Sequence, residues 1–240
     1  MLRALSDSIL SVIYPQECRL CGDEVEASSD GVACSSCWAA TKIFSANETL
    51  CDKCGAFLFA GRSSSPARCG KCEDHVYDQA LSVGLYEKGL AATVLDLKKV
   101  PHLSGGIKRL LEGVLDRSHL GNSDVVIPVP LSSRRLRERG FNQAAVIGRE
   151  IANHLGVAMD ESTLTRTVHT PMHRAGMDKK ARAMTVKNAF EVARPNLVAD
   201  KIVLLVDDIF TSGETASNCA KVLKKSGAAM VNILTIARAA

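Results

Sequence analysis

Eight of the nine cysteines fall in four CxxC pairs, Cys18/Cys21, Cys34/Cys37, Cys51/Cys54 and Cys69/Cys72, all in the first third of the chain. Both thiolates of a CxxC knuckle can reach one tetrahedral zinc at about 2.3 Å, and two such pairs joined by a loop complete a four-cysteine site. In a reducing cytosol a disulfide framework is not expected, which leaves two zinc sites as the reading, ahead of a redox CxxC. Glycine follows the first and third pairs, in CRLCG and CDKCG, as a tight knuckle needs, and is missing after the second and fourth. That alternation favours sequential sites: Cys18, Cys21, Cys34 and Cys37 on one zinc, Cys51, Cys54, Cys69 and Cys72 on the other. A cross-braced pairing is the alternative. Four protein ligands leave no open position, so both zincs read as structural. A segment with so little apolar core would take its folding free energy from metal binding. Cys219 stands alone in a helical pattern and reads as a small buried apolar side chain.

The 240 residues suffice for one large domain, or for a medium one plus a small appendage. A hydrophobic content of 46% fits a folded protein, and a net charge of +4 does not by itself call for nucleic acid. Aromatic residues make up 4%, which leaves few rings for a base-stacking surface. No run approaches the roughly 18 apolar residues of a membrane span. At the N-terminus Leu2, Leu5, Ile9, Val12 and Ile13 follow helical spacing, broken by Ser6, Asp7 and Ser8. That is a short amphipathic helix docked on the body, or one lying on a membrane surface, rather than a secretory signal. A cytoplasmic protein with no membrane partner is expected.

From about residue 78 the pattern changes, which divides the chain into an N-terminal helix with a double zinc ribbon, 1–77, and a second domain, 78–240. ALSVGLYE alternates like a strand, while GLAATVLDLKK and GGIKRLLEGVLDRS have helical period. DVVIPVP is a strand stopped by Pro128 and Pro130, and RGFNQAAVIGREIANHLG a long amphipathic helix ended by Gly156. TLTRTV reads as a strand, DKKARAMTVKNAF as a charged helix with Asp178 as a possible cap, and AMVNILTIAR as a last strand. Strands alternating with helices make this an α/β fold with a mostly parallel sheet flanked by helices.

The most informative stretch is KIVLLVDDIFTSGETASN, an apolar run ending on two acids, followed by a hydroxyl- and glycine-rich turn into a helix. In an open α/β sheet, ligands sit beyond the carboxyl ends of the strands. Asp207 and Asp208 are expected there, facing solvent, as acceptors for sugar hydroxyls. Thr211, Ser212, Gly213, Glu214 and Thr215 form the turn, whose unpaired amides and helix dipole suit a phosphate. Together they fit a phosphorylated ribose. Ordinary helix capping by Thr or Ser is the competing reading. Arg134, Arg135, Arg137 and Arg139, with only Glu138 as offset, suit an anionic partner or else make a solvated helix face.

VLLVDDIFTSGET resembles the phosphoribosyl-diphosphate (PRPP) motif of type I phosphoribosyltransferases. With the cysteine pairs, LDLKK, IPVPLSSRRLRERGFNQA and LTRTVHTPMHRAGMDKKARAMTVKNAF, nearly the whole chain resembles the ComF family, which acts in DNA uptake during bacterial natural transformation. The resemblance implies a type I phosphoribosyltransferase-like domain in which Val129 through Ser133 and the following arginines contact pyrophosphate. It implies that Lys98 is the family's lysine, and that a mobile loop falls within Arg166 to Arg182, with His169, His173, Arg174, Lys179 and Lys180. The family pattern has glutamine where this chain has His173. Two functions follow. One is a module that binds PRPP or ribose 5-phosphate and serves DNA uptake, with single-stranded DNA or a helicase-type DNA-uptake protein as partner. The other is an active phosphoribosyltransferase that uses Mg²⁺ with PRPP and an acceptor no motif identifies.

Overall fold

The computed structural model describes residues 16–45, 48–58, 67–167 and 189–240. The expected N-terminal helix, Asp178, and the loop residues His169, His173, Arg174, Lys179, Lys180 and Arg182 lie outside the described residues.

Five strands form a wholly parallel sheet in the order β1-β7-β6-β2-β3: β1 (Gln79–Leu85), β2 (Val125–Pro128), β3 (Ala158–Met159), β6 (Ile202–Phe210) and β7 (Met230–Arg238). The central strand β6 carries the apolar run, and Val203 through Val206 are fully buried. Their side chains alternate between two cores, as the pleat requires. Leu204 and Val206 point into a core built with α2 (Lys88–Leu97), α3 (Gly105–Asp116) and α5 (Gln143–Leu155). Val203 and Leu205 point into the other, with α6 (Glu214–Lys225). Cys219 of α6 lies wholly inside that second core, where burial pushes its thiol well up.

Three local departures from the sequence reading have physical causes. The long helix expected from Arg139 begins only at Gln143, as α5, and Arg139 instead ends a separate helix, α4 (Ser133–Arg139). Gly140 takes a left-handed φ of 83°, ending α4, and Asn142 caps α5. The TLTRTV strand, β4 (Leu164–Arg166), does not join the sheet; it pairs antiparallel with β5 (Phe190–Val192). The helix expected to run through Phe190 is therefore wrong at its end, because Phe190 is drawn as a strand residue into the core beneath α6.

Both cysteine segments pack on the sheet. The first carries α1 (Ser35–Ala39) and has a small cluster of its own, Cys18, Val25, Ala33 and Cys34. It docks through Phe44 N–H to the Val83 carbonyl at 2.8 Å and Arg19 to Asp96 at 2.6 Å. The second has no separate core: Cys51, Cys54, Cys72 and Tyr77 belong to the cluster that contains Val203, Leu205 and Ile233. The Val76 N–H donates to Ser217 Oγ at 3.0 Å, and Ala80 N–H to the Lys53 carbonyl at 2.7 Å. The two segments thus differ in how deeply they depend on the sheet.

Candidate functional site

The sulfurs of Cys18, Cys21, Cys34 and Cys37 lie within 4.8 Å of one another, as do those of Cys51, Cys54, Cys69 and Cys72. Grouping is sequential, not cross-braced. Four sulfurs at about 2.3 Å from one centre stand about 3.8 Å apart along tetrahedral edges. The observed edges include 3.8 Å for Cys18–Cys37, 3.5 Å for Cys21–Cys34, 3.7 Å for Cys51–Cys72 and 3.5 Å for Cys54–Cys69. The two clusters therefore fit two zinc ions. Within each cluster the thiols are shifted apart: burial raises Cys37, Cys54 and Cys72, whereas hydrogen bonds lower Cys18 and Cys51. Burial raises the Cys51 thiol, but the backbone N–H groups of Cys54, Lys53 and Cys69 outweigh it and bring it down to about 7. At Cys18 the N–H groups of Cys34, Cys21 and Leu20 outweigh burial likewise and bring it to about 6.

A polar cavity of about 570 Å³ opens at the carboxyl ends of β2 and β6, lined by Lys98, Arg135, Arg139, Arg166, Asp207, Asp208 and Thr215 among others. β6 runs on through both aspartates to Phe210, with Asp207 in register with Thr235 of β7. Neither acid is the solvent-facing strand end that the sequence suggested: Asp207 is half-buried and Asp208 buried. Asp208 is 4% exposed, and its Oδ2 lies 3.4 Å from both Lys98 Nζ and Gln143 Nε2. Asp207 Oδ1 accepts the Asp208 N–H at 2.8 Å. Burial, and then the Asp208 charge, push the Asp207 carboxyl well above its ordinary value, partly opposed by that N–H and by Lys98.

The arginine cluster divides by helix face. Arg135 and Arg139, one turn apart on α4, are half-buried and line the cavity. Arg134 is exposed and pairs at 2.7 Å with Glu138, which itself stands on the cavity wall, and neither Arg134 nor Arg137 lines the cavity. Burial lowers the Arg139 guanidinium, and Asp208 partly restores it. In the turn, Thr215 reaches the polar cavity, Gly213 takes a left-handed φ of 81°, and Thr211 and Ser212 are exposed. Glu214 opens α6 and does not line the polar cavity.

Two polar cavity residues were not picked out as site residues from the sequence, Gln143 and Glu138, while Arg166 was expected only as the start of the loop to Arg182. Arg166 leaves β4 into the cavity, where burial and then Arg135 lower its guanidinium. Gln143 is 5% exposed and accepts from Arg139 while donating to Asp208. The FNQA stretch carried the signal: its Asn142 accepts the Ala144 N–H at 3.1 Å and donates to the Val129 carbonyl at 3.0 Å, fixing the loop after β2.

A parallel sheet flanked by helices, whose central strand bears two acids and runs into a Thr-Ser-Gly turn, together with two four-cysteine clusters, defines an α/β domain carried with a double zinc ribbon. The family model for the double zinc ribbon domain matches residues 9–76. The chain is 33% identical over 232 residues to DNA utilization protein YhgH of Salmonella typhi, covering 93% of this chain and 97% of that protein. It is 29% identical over 231 residues to competence protein F of Haemophilus influenzae, covering 92% and 96%. Among solved structures, the glutamine PRPP amidotransferase of B. subtilis matches with a TM-score of 0.37 and 22% identity, over 58% of this chain and 30% of that one. The chain belongs to the ComF family, with YhgH and competence protein F. Among the described residues no helix is long and apolar enough to cross a membrane.

Proposed function

We propose that this chain binds PRPP, or ribose 5-phosphate as its simplest fragment, in the polar cavity, and that it serves DNA uptake or DNA utilization, the roles for which its relatives are named. One observation carries this reading: Asp207, Asp208 and Thr215 share a cavity with Lys98, Arg135, Arg139 and Arg166. Acceptors for sugar hydroxyls thus stand beside cations for a diphosphate. In this reading the turn from Thr211 to Thr215 takes the 5′-phosphate on its hydroxyls and on the first amides of α6. Asp207 and Asp208 hold the ribose, and Arg135, Arg139 and Lys98 face pyrophosphate. Among the described residues only the cysteines form metal-ligating clusters, so Mg²⁺ would arrive with the phosphates of PRPP. The zincs would hold the ribbons in place, leaving their surfaces for single-stranded DNA or a helicase-type DNA-uptake protein. A reducing cytosol would keep these eight zinc-ligating cysteines from pairing as disulfides.

The test is calorimetry of the zinc-loaded protein with PRPP and Mg²⁺, followed by a pyrophosphate-release assay with candidate acceptors. Saturable binding that Asp207→Asn weakens is expected. Release of pyrophosphate would make the chain an active phosphoribosyltransferase. A folded protein with two zincs that takes up no PRPP would overturn the reading.

A further inference from the structure

A second cavity, of about 590 Å³, opens where the second cysteine ribbon meets the ends of β6 and β7. Its walls include the rings of Phe57, His75, Tyr77 and Phe210. The chain has only six phenylalanines, three tyrosines and one tryptophan, so three of its few large rings meet at one place. The inner rings are fixed. Tyr77 meets Phe210 edge-on with centroids 5.9 Å apart, and its hydroxyl lies 2.8 Å from His75 Nδ1. Arg238 is 7% exposed; its guanidinium donates to the Cys54 carbonyl and stands 5.4 Å from the centre of the Phe210 ring. Phe57 forms the rim, 38% exposed, and Lys71, Thr211 and Ser212 add polar groups. Cys54, Cys69 and Cys72 of the second zinc cluster form the cavity's floor, and beyond them the apolar rings and a few placed polar groups are those of a small-molecule site.

The wall this cavity shares with its neighbours says what it holds. Phe210 and Thr211 line both it and a small gap at Gly213 and Thr215. That gap in turn shares Asp207, Ile209 and Thr215 with the polar cavity. The aromatic space therefore adjoins the turn assigned above to a ribose phosphate. The flat group that accompanies ribose phosphates in biology is a nucleobase, and base–aromatic stacking tolerates any base because each has a π-face. We propose that the cavity between the second ribbon and the Thr211–Thr215 turn receives a nucleobase, stacked on Phe57 and His75 and contacted at its edge by Lys71, Ser212 or Arg238. The choice of a base rests on the ribose-phosphate reading of that turn. The base belongs either to a mononucleotide or to a single-stranded nucleic acid, and the two sources are separable.

The experiment compares matched probes on the full-length zinc-loaded protein by calorimetry: ribose 5-phosphate against the four nucleoside 5′-monophosphates, and a short single-stranded oligodeoxynucleotide against its abasic counterpart. At least one base-containing probe should bind ten times tighter than its base-free match, about 1.4 kcal/mol. Phe57→Leu, which keeps apolar bulk and removes the π-face, should abolish most of that gain and leave ribose 5-phosphate affinity unchanged. Phe57→Ala should do the same, with zinc content and melting temperature showing that both variants fold. A gain with monophosphates identifies a nucleotide site; a gain with the oligonucleotide alone identifies a strand site. Equal affinities within both pairs, or a gain that survives both Phe57 variants, overturn the proposal. If neither ribose 5-phosphate nor PRPP binds while an oligonucleotide gain persists and falls with Phe57→Leu, the base site stands and the ribose-phosphate reading fails.

Discussion

The imidazole of His75 occupies the space beside Gly213: a Cβ built on that glycine would stand 2.7 Å from His75 Cε1, and 2.8 Å from Phe210 Cζ. The ribbon thus sets the shape of the Thr-Ser-Gly turn. Gly213 also holds a left-handed φ of 81°, which costs a residue with a Cβ about 1–2 kcal/mol before any clash. Gly213→Ala should destabilise the protein by at least that amount in urea unfolding. Combined with His75→Ala, part of the loss should be recovered, because one of the two clashing rings has gone. Strict additivity of the two changes would show that the ring does not press on the turn.

Metal analysis should give two zinc ions per chain. Cys51→Ser should lose one of them, and Cys18→Ser the other. Their effects on unfolding should differ. Cys51 sits in the core shared with Val203 and Leu205, so its variant should lower the melting temperature of the whole sheet. Cys18 belongs to a separate small cluster, so its variant should leave the main transition closer to wild type. Equal shifts would mean that the first ribbon supports the sheet as much as the second does.

Ionising Asp207 costs folding stability. Its carboxyl is raised by burial and by Asp208, so keeping it ionised works against the folded state. A carboxyl raised in the folded protein contributes its stability below the ordinary value of 3.8, and loses it as the pH rises through the folded value. Asp207→Asn should therefore melt higher than wild type at alkaline pH, with a gap that narrows as the pH falls. The same variant should bind PRPP at least tenfold more weakly, about 1.4 kcal/mol, for loss of a ribose acceptor. A variant no more stable than wild type at alkaline pH would show that Asp207 is ionised at no cost.

The two faces of α4 should separate in anion binding. Arg135→Ala and Arg139→Ala should each weaken PRPP binding about tenfold, near 1.4 kcal/mol. Arg134→Ala should change little, because its exposed pair with Glu138 is of a kind worth about 0–1 kcal/mol. A salt series with single-stranded DNA reads the same helix differently. An arginine that contacts the strand contributes about −0.7 to the slope of log affinity against log salt, and its removal should flatten the slope by that much. If Arg134 and Arg139 variants lose PRPP affinity equally, the cavity is not where the diphosphate lies.

Much of this was legible in the chain. CxxC spacing fixed the eight sulfurs, and the unbroken Val-Leu run marked β6 as a strand covered on both faces. The arginines were visible as a cluster, and helical spacing alone could have set Arg135 and Arg139 apart from Arg134 and Arg137. What stayed hidden has a common cause. Strands β3, β4 and β5 span two or three residues, too few to show a period. Asp208 reads as a strand-end charge until Lys98 and Gln143, each from a different helix region, close over it. His75 meets Gly213 only through tertiary packing, and no local pattern announces such a contact.

Asn142 offers a way to test the loop after β2 apart from the helix it caps. Its Oδ1 accepts the Ala144 N–H at 3.1 Å, and its Nδ2 donates to the Val129 carbonyl at 3.0 Å. The first bond starts α5; the second holds the stretch that leads to Pro130 and Leu131 on the cavity wall. Asn142→Ala loses both and should cost about 0.5–2 kcal/mol for the cap alone, with weaker PRPP binding besides. Asn142→Asp keeps an acceptor for the Ala144 N–H, since aspartate caps as well as asparagine. It has no donor for Val129, however, and brings a negative charge near Arg139. It should melt close to wild type yet bind PRPP several-fold more weakly. Thermal unfolding and calorimetry on the two variants decide the matter: if Asn142→Asp binds like wild type, the Val129 bond does not shape the site, and Asn142 serves the helix alone.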